Sequence, residues 1–419
     1  MAILSQHIIR LRSVGGNVRR VTNFLTLQLD YPDSSFKAGR QERFITQIAG
    51  QVKTHRVSNR STTLSGALAG VLLGFICTCA EPAEYSEKMP LGLPTFEDAG
   101  IPTVSPKLAD LGKQLFVDKR LSATGKISCS SCHQLDRALT DGRPRAIGID
   151  GIQGSRNAPS LYNVAYETTL FWDGRAATLE SQVRAPLTNK SEHGLASDEQ
   201  ILAIIESDSN YRQRFLRDGR RIAIEDVISA FANYERTLLA GDSPFDRYYY
   251  QAKADAMSAA AIRGLDLFVG RARCSTCHLI EKSYALFTDQ KFHASTIQLP
   301  ANTAAGLPIL TQKVLEAKKS KRPEAVDQLI TSDSNISALG RFNSTLDPAD
   351  IGKFKTPSLR NVAATGPYMH DGSISSLAEA IEMELYIRGS AMNYPIVLTE
   401  GEQRDILAFL ESLTSSNAN

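Results

Sequence analysis

Two five-residue stretches constrain this chain more than anything else in it: Cys129, Ser130, Ser131, Cys132, His133 and Cys274, Ser275, Thr276, Cys277, His278. Both read Cys-x-x-Cys-His, the signature by which a porphyrin is attached through two thioethers while the adjacent imidazole reaches the iron. A redox-active dithiol, a zinc site and a structural disulfide are the competing uses of such a pair. A dithiol gives neither histidine a purpose, and no completing zinc ligands stand at an obvious spacing. The motifs therefore imply two covalently bound haem c groups, a cofactor attached outside the cytoplasmic membrane.

The surroundings of the two motifs repeat as well. Pro159, Ser160, Leu161, Asn163, Val164 and Ala165, then Asp173, Gly174 and Leu179, recur 198 positions on as Pro357, Ser358, Leu359, Asn361, Val362 and Ala363, then Asp371, Gly372 and Leu377. Upstream of the cysteines, Gly112, Leu115, Phe116 and Val117 correspond to Gly264, Leu267, Phe268 and Val269. Such self-similarity predicts a tandem duplication. Apolar residues at helical spacing dominate and strand-like alternation is scarce. One amphipathic helix is expected near 224–239, with Val227, Ile228, Phe231, Tyr234 and Leu238 on one face and Gly241 beyond its end. Another should open at Thr399 with Glu402 as a capping box, burying Ile406, Phe409, Leu410 and Leu413. Ser105 and Pro106 read as the start of a third, carrying Leu108, Leu111 and Leu115. The expected fold is all-α: two tandem cytochrome c-like units, 81–243 and 244–419, with very little strand. Gln312 to Arg322 reads as a helical or mobile insertion in the second.

Export also fits the N-terminal region. Arg56 and Arg60 precede an apolar run from Leu64 to Ile76, shorter than the ~20 residues of a spanning helix, and Cys77, Thr78, Cys79 and Ala80 follow. Residues 56–80 thus read as a signal peptide or a lipoprotein signal, with Cys77 or Cys79 as the lipidated residue. Residues 1–55 read as an extension upstream of the natural start. The expected location is periplasmic. With 47 basic and 45 acidic residues the net charge is +2, so composition points to no nucleic-acid partner.

Several further segments resemble, in order, the bacterial di-haem cytochrome c peroxidases and their MauG-type relatives, over about residues 90–415. They are Asn157 to Asn163; Phe171, Trp172, Asp173, Gly174, Arg175; Tyr234, Glu235, Arg236, Thr237, Leu238; and Gly366, Pro367, Tyr368, Met369, His370, Asp371, Gly372. The resemblance implies that peroxide reacts at the first haem and that the second relays electrons. It makes Glu192, twenty residues beyond Trp172, the carboxylate that takes the peroxide proton and returns it to the departing oxygen. Gln182 matches a distal glutamine that hydrogen-bonds the bound oxygen, and Trp172 an aromatic placed between the haems. His370 maps to a residue near a haem propionate. A calcium ion maps onto Asn157 with the carbonyls of Thr365 and Pro367, oxygen donors of the kind calcium takes. The implied partners are hydrogen peroxide and a small cytochrome c or cupredoxin donor. A homodimer agrees with the resemblance, although no interface is readable.

Two departures from the family pattern carry information. The loop Ala146 to Gly151 lacks the histidine that blocks the first haem in many relatives, so that haem should be open without prior reduction. His193 reads as a surface residue or one behind the ligands, and His293 as structural. The far ligand of the second haem is Met in the peroxidases and Tyr in MauG-like proteins, and the helix after His370 offers Met383 and Tyr386, three residues apart on one face. Tyr386, followed by Arg388 and Gly389, is the favoured candidate. Tyr would lower the haem potential and favour oxidation of residues in a partner protein; Met would favour electron uptake from a donor. A non-catalytic electron carrier is the third reading, and the missing histidine argues against it.

Overall fold

The first helix starts where the sequence indicates. Extended Ser105 turns its hydroxyl onto the Leu108 N–H at 3.4 Å, and proline at the first helical position gives up a donor that would have had no partner. The structure is a computed structural model describing residues 89–416 apart from 217–219, 295, 296, 298 and 392–394. The expectations for 1–55 and for 56–80, Cys77 and Cys79 included, lie outside the described residues. No helix among the described residues is long and apolar enough to cross a membrane.

The first half runs through α1 (Pro106–Val117), α2 (Leu179–Thr188), α3 (Asp198–Ser207), α4 (Ser209–Phe215) and α5 (Ile224–Arg236). The second contains α6 (Pro244–Gln251), α7 (Ala259–Val269), α8 (Ala301–Lys319), α9 (Pro323–Ser332), α10 (Leu377–Ala391) and α11 (Glu400–Glu411). Short strands β1 (Phe292–Ala294) and β2 (Lys353–Lys355) pair antiparallel, with His293 opposite Phe354. The architecture is helical, as expected. Helix α5 stops at Arg236, three residues short of the sequence reading, because the Thr237 hydroxyl bonds back to the Tyr234 carbonyl at 2.6 Å; Leu238 is buried beyond the helix end. The capping box at Thr399 and Glu402 forms as read. The Lys-rich insertion is helical in α8 as far as Lys319, and Ser320 to Arg322 link it to α9.

Buried apolar side chains gather in three clusters. One extends from Leu111 to Leu238, one from Phe245 to Leu413, and a small one, Leu310 to Phe342, lies under α8 and α9. The repeated glycines explain how the first two are built. A Cβ at Gly112 would be driven into the Ala230 carbonyl of α5, and one at Gly264 into the Asp405 carbonyl of α11. The first half thus presses α1 against α5, and the second presses α7 against α11, at backbone contact distance, with Phe116 edge-on to Tyr234 in one pair and Phe268 against Phe409 in the other. Cooperative packing of this kind tolerates no added methyl.

Gly264→Ala should therefore destabilise the protein by about 1–3 kcal/mol, the cost of overpacking against rigid backbone, and Gly112→Ala likewise. Gly401→Ala in α11, where the nearest neighbour is the Thr399 hydroxyl at 3.8 Å, should be neutral or slightly stabilising. Thermal unfolding of the three variants checks the contrast.

Candidate functional site: a shared cavity behind two Cys-x-x-Cys-His motifs

Each motif histidine is held by one backbone carbonyl. His133 Nδ1 lies 3.0 Å from the Leu139 oxygen and His278 Nδ1 lies 2.8 Å from the Phe287 oxygen. A carbonyl can only accept, so both Nδ1 atoms carry the proton and both Nε2 atoms keep the lone pair that binds a metal. Burial pushes both imidazoles toward the neutral form. The duplicated loops hold these carbonyls in place. Ser160 donates its hydroxyl to the Ala138 carbonyl and Ser358 to that of Leu286, both at 2.7 Å and each one residue before the oxygen that orients the imidazole. Farther along, Asn163 and Asn361 adopt positive φ (61° and 60°) and tie the loops to the ends of the closing helices, the first through Ala240 and the second through Ser415.

A single cavity of about 670 Å³ joins the two motifs, lined by Cys129, Cys132 and His133 on one side and Cys274, Cys277 and His278 on the other. The four cysteines form no disulfide. Burial raises the thiols of Cys129, Cys132 and Cys274, the last two to about 12, which argues against a reactive dithiol. Ligand atoms of Cys277, Asp289 and His293 do lie within 4.8 Å of one another. His293, however, already pairs with Asp289 at 2.7 Å, and the first motif has no such cluster among the described residues. Two imidazoles poised for iron, thiols beside each, and mostly apolar walls suit an iron porphyrin at each end.

Glu192, Gln182 and Trp172 all face this cavity. Burial raises the Glu192 carboxyl to about 7, against the pull of the Arg175 guanidinium. Gln182 presents a buried amide oxygen without a hydrogen-bond partner. The loop that carries a histidine in many relatives packs on the Glu192 segment: the Ile149 N–H donates to the Glu192 carbonyl at 3.0 Å, and a Cβ at Gly148 would strike the Ser191 carbonyl. His193 is not a surface residue. It is buried, with Nδ1 donating to the Leu121 carbonyl at 2.6 Å, and so braces the same segment.

Trp172 donates Nε1–H to the Asn157 carbonyl at 3.0 Å and accepts from the Lys355 N–H at 2.9 Å. Beside it Asp173 is fully buried between Arg156 at 2.8 Å and Arg175 at 3.0 Å. Burial alone would raise that carboxyl, but the two guanidiniums overcome it and hold it below the usual range. His370 is buried and stacked on Phe354 with centroids 3.8 Å apart; burial lowers it to about 4, so it is neutral near pH 7. Asn157, Thr365 and Pro367 reach the same cavity, and the Asn157 N–H donates to the His370 carbonyl at 3.0 Å.

Met383 and Tyr386 do not reach it. The face of α10 on the cavity is Leu377, Ala380, Ile381, Glu384, Leu385 and Arg388, and Tyr386 is 76% exposed. The two candidates do share a side of the helix, but burial of Ile381 and Leu385 in the second cluster turns that side away. Other participants were not singled out from the sequence. Glu235, noted only as part of a motif, lines the cavity with burial raising it to about 8 and Oε2 unpartnered. Helix α9 reaches over the Glu192 segment, where Gln328 donates to Ser191 Oγ at 2.9 Å and Asn189 bonds Thr331 at 3.1 Å. No local signal marks contacts spanning more than a hundred residues.

Fold and cavity thus define a helical protein with two buried imidazoles on one cavity, each with the Nε2 lone pair left for a metal. A family model described as di-haem cytochrome c peroxidase matches residues 106–254. The chain is 34% identical over 325 residues to the methylamine utilization protein MauG of Methylorubrum extorquens, which covers 75% of this chain and 80% of that one. It is also 34% identical over 372 residues to the cytochrome-c peroxidase IdrP1 of Denitromonas iodatirespirans, with 85% and 93% covered. The crystal structure of a MauG-like protein associated with microbial copper homeostasis matches with TM-score 0.61 and 31% identity, over 81% of this chain and 95% of that one. The chain belongs to the di-haem cytochrome c peroxidase and MauG family, whose cofactor is haem.

A base with Glu192's raised carboxyl accepts a proton only when ionised. The rate of reaction with peroxide should fall as the pH drops below about 7 and level off above it. Stopped-flow rates across pH check this, and Glu192→Gln should abolish the inflexion.

Proposed function

We propose that this chain is a periplasmic di-haem peroxidase that reduces hydrogen peroxide to water with electrons from a small cytochrome c or cupredoxin. In this reading residues 81–243 form the peroxidatic unit, with haem attached through Cys129 and Cys132 and held by His133. Residues 244–419 form the electron-transfer unit, attached through Cys274 and Cys277 and held by His278. The observation that carries it is a proton-accepting carboxyl at Glu192, raised to about 7, sharing the His133 cavity with the unpartnered amide oxygen of Gln182.

When bound, the haems supply the two electrons that break the O–O bond. Glu192 takes the proton from the near peroxide oxygen and returns it to the far one, which departs as water. The Gln182 amide orients the oxygen that remains. Two protons from solvent complete the second water. Glycine at 148 and isoleucine at 147 and 149 leave the loop near Glu192 without an imidazole, so peroxide has access without prior reduction. Trp172 lines the space shared by both motifs and is bonded to each half, through Asn157 and Lys355, a placement suited to coupling the two haems. The Asn157 side-chain oxygen with the Thr365 and Pro367 carbonyls is the proposed calcium site. The segment 56–80 directs export, with Cys77 or Cys79 open to a lipid anchor.

Oxidation of a partner protein is the alternative within the same family, and its argument from this sequence was a tyrosine ligand. The exposure of Tyr386 removes that argument. Steady-state oxidation of a reduced small cytochrome c or cupredoxin by hydrogen peroxide, with the two-haem protein not reduced beforehand, decides between them. Rapid turnover is expected, with a loss of roughly 10²- to 10⁴-fold in Glu192→Gln. Negligible turnover alongside a fast spectral response to stoichiometric peroxide would instead mark a protein-oxidising enzyme.

A further inference from the structure

The 198-residue register extends past the motifs into the helices that follow them. In α2 the cavity wall is formed by Gln182, Val183, Pro186 and Leu187; in α10 it includes Ala380, Ile381, Glu384 and Leu385, the same four positions moved on by 198, with Leu377 and Arg388 to either side. The backbone repeats with them. The bridge from Leu170 to Ala176 returns as Tyr368 to Ile374, and Phe171 and Met369 both take positive φ (65° and 71°). Each helix therefore offers the same turn to its own end of the cavity.

At that turn the two copies differ in the property that matters to a metal. Pro186 has no electron pair to give, whereas its counterpart Glu384 is a carboxylate. Glu384 is the charged side chain that acts most strongly on both the His278 imidazole and the Cys274 thiol. One turn farther on, Arg388 donates Nε–H to Glu384 Oε2 at 3.1 Å. Such a pair at i, i+4 steadies the direction of the side chain.

We propose that Glu384 is the axial ligand of the second haem on the side away from His278, in the place where Met383 or Tyr386 was expected. The inference rests on haem attachment at Cys274, Cys277 and His278 as proposed above. An anionic oxygen donor stabilises the ferric state and sets the second haem at lower potential than a thioether would. The first haem, facing Pro186, keeps an open position for peroxide. One duplicated scaffold thus makes an open iron and a closed one, with Pro186 and Glu384 at the matched position. Met369 also lines the cavity, from the turn before the helix, and is the rival the test must separate.

Haem is first counted by pyridine haemochrome on the matured wild type and on Glu384→Gln, Glu384→Met, Met383→Leu, Tyr386→Phe and Met369→Leu. Ferric EPR and absorption spectra and the second haem's midpoint potential are then compared. With two haems bound, Glu384→Gln should lose the wild-type signal of the second haem and raise its midpoint. Glu384→Met should raise it further and bring in the far-red sulfur-to-iron band. The other three should match wild type. Retention of the wild-type signal in Glu384→Gln with both haems present, or its loss in Met383→Leu, Tyr386→Phe or Met369→Leu, would overturn the ligand alone. Fewer than two haems in the wild type would overturn the attachment along with it.

Discussion

Everything at the centre of this molecule depends on two hydrogen bonds, from imidazole Nδ1 to the carbonyls of Leu139 and Phe287. A histidine beside a pair of cysteines can turn either nitrogen to a metal, and these bonds choose Nε2. A loop carbonyl is a dependable acceptor only if its own backbone is immobile. The serine hydroxyls of Ser160 and Ser358 hold the preceding carbonyls, and the asparagines at 163 and 361 anchor those loops to the ends of α5 and α11. The closing helices are anchored in turn by backbone contact across Gly112 and Gly264. Orientation of the metal-binding nitrogen is thus inherited from helix packing some distance away.

Duplication supplied this frame twice, and the differences between the copies divide the chemistry. Asp173 in the first copy is buried between two arginines, and Arg175 also pairs with Asp327 of α9 at 2.5 Å. Through that network and the contacts of Gln328 and Thr331, α9 braces the segment carrying Glu192. The second copy instead buries Arg360 where the first has Tyr162. Arg360 pairs with buried Asp246 at 2.9 Å and donates to the carbonyls of Gly92 and Ala285, joining the segment before α1 to the second half. Each copy therefore uses its buried charge differently: one steadies the loop that carries Glu192, and the other fastens chain segments together. Four of the five donors of this buried guanidinium are bonded, two to the carboxylate and two to carbonyls, which makes its burial tolerable.

Short-range features of this protein were legible in its sequence. The Cys-x-x-Cys-His spacing, the caps at Ser105 and Thr399, the helical class and the 198-residue repeat all depend on residues within a few positions of one another or on direct self-comparison. Family resemblance added Glu192, Gln182 and Trp172, and all three reach the cavity. The burial of His193, the bracing of the Glu192 segment by α9, and the exposure of Tyr386 could not be read, because each depends on what packs against an element rather than on the element itself. Met383 and Tyr386 were correctly placed on one side of their helix. Which side meets the cavity was decided by burial of Ile381 and Leu385 against Phe409 and Leu410, since a helix settles with its largest apolar stripe inward. The sequence by itself determined which groups are available for chemistry; the tertiary structure alone decided which are turned inward, because rotation of a helix about its axis is set by the sum of contacts around it.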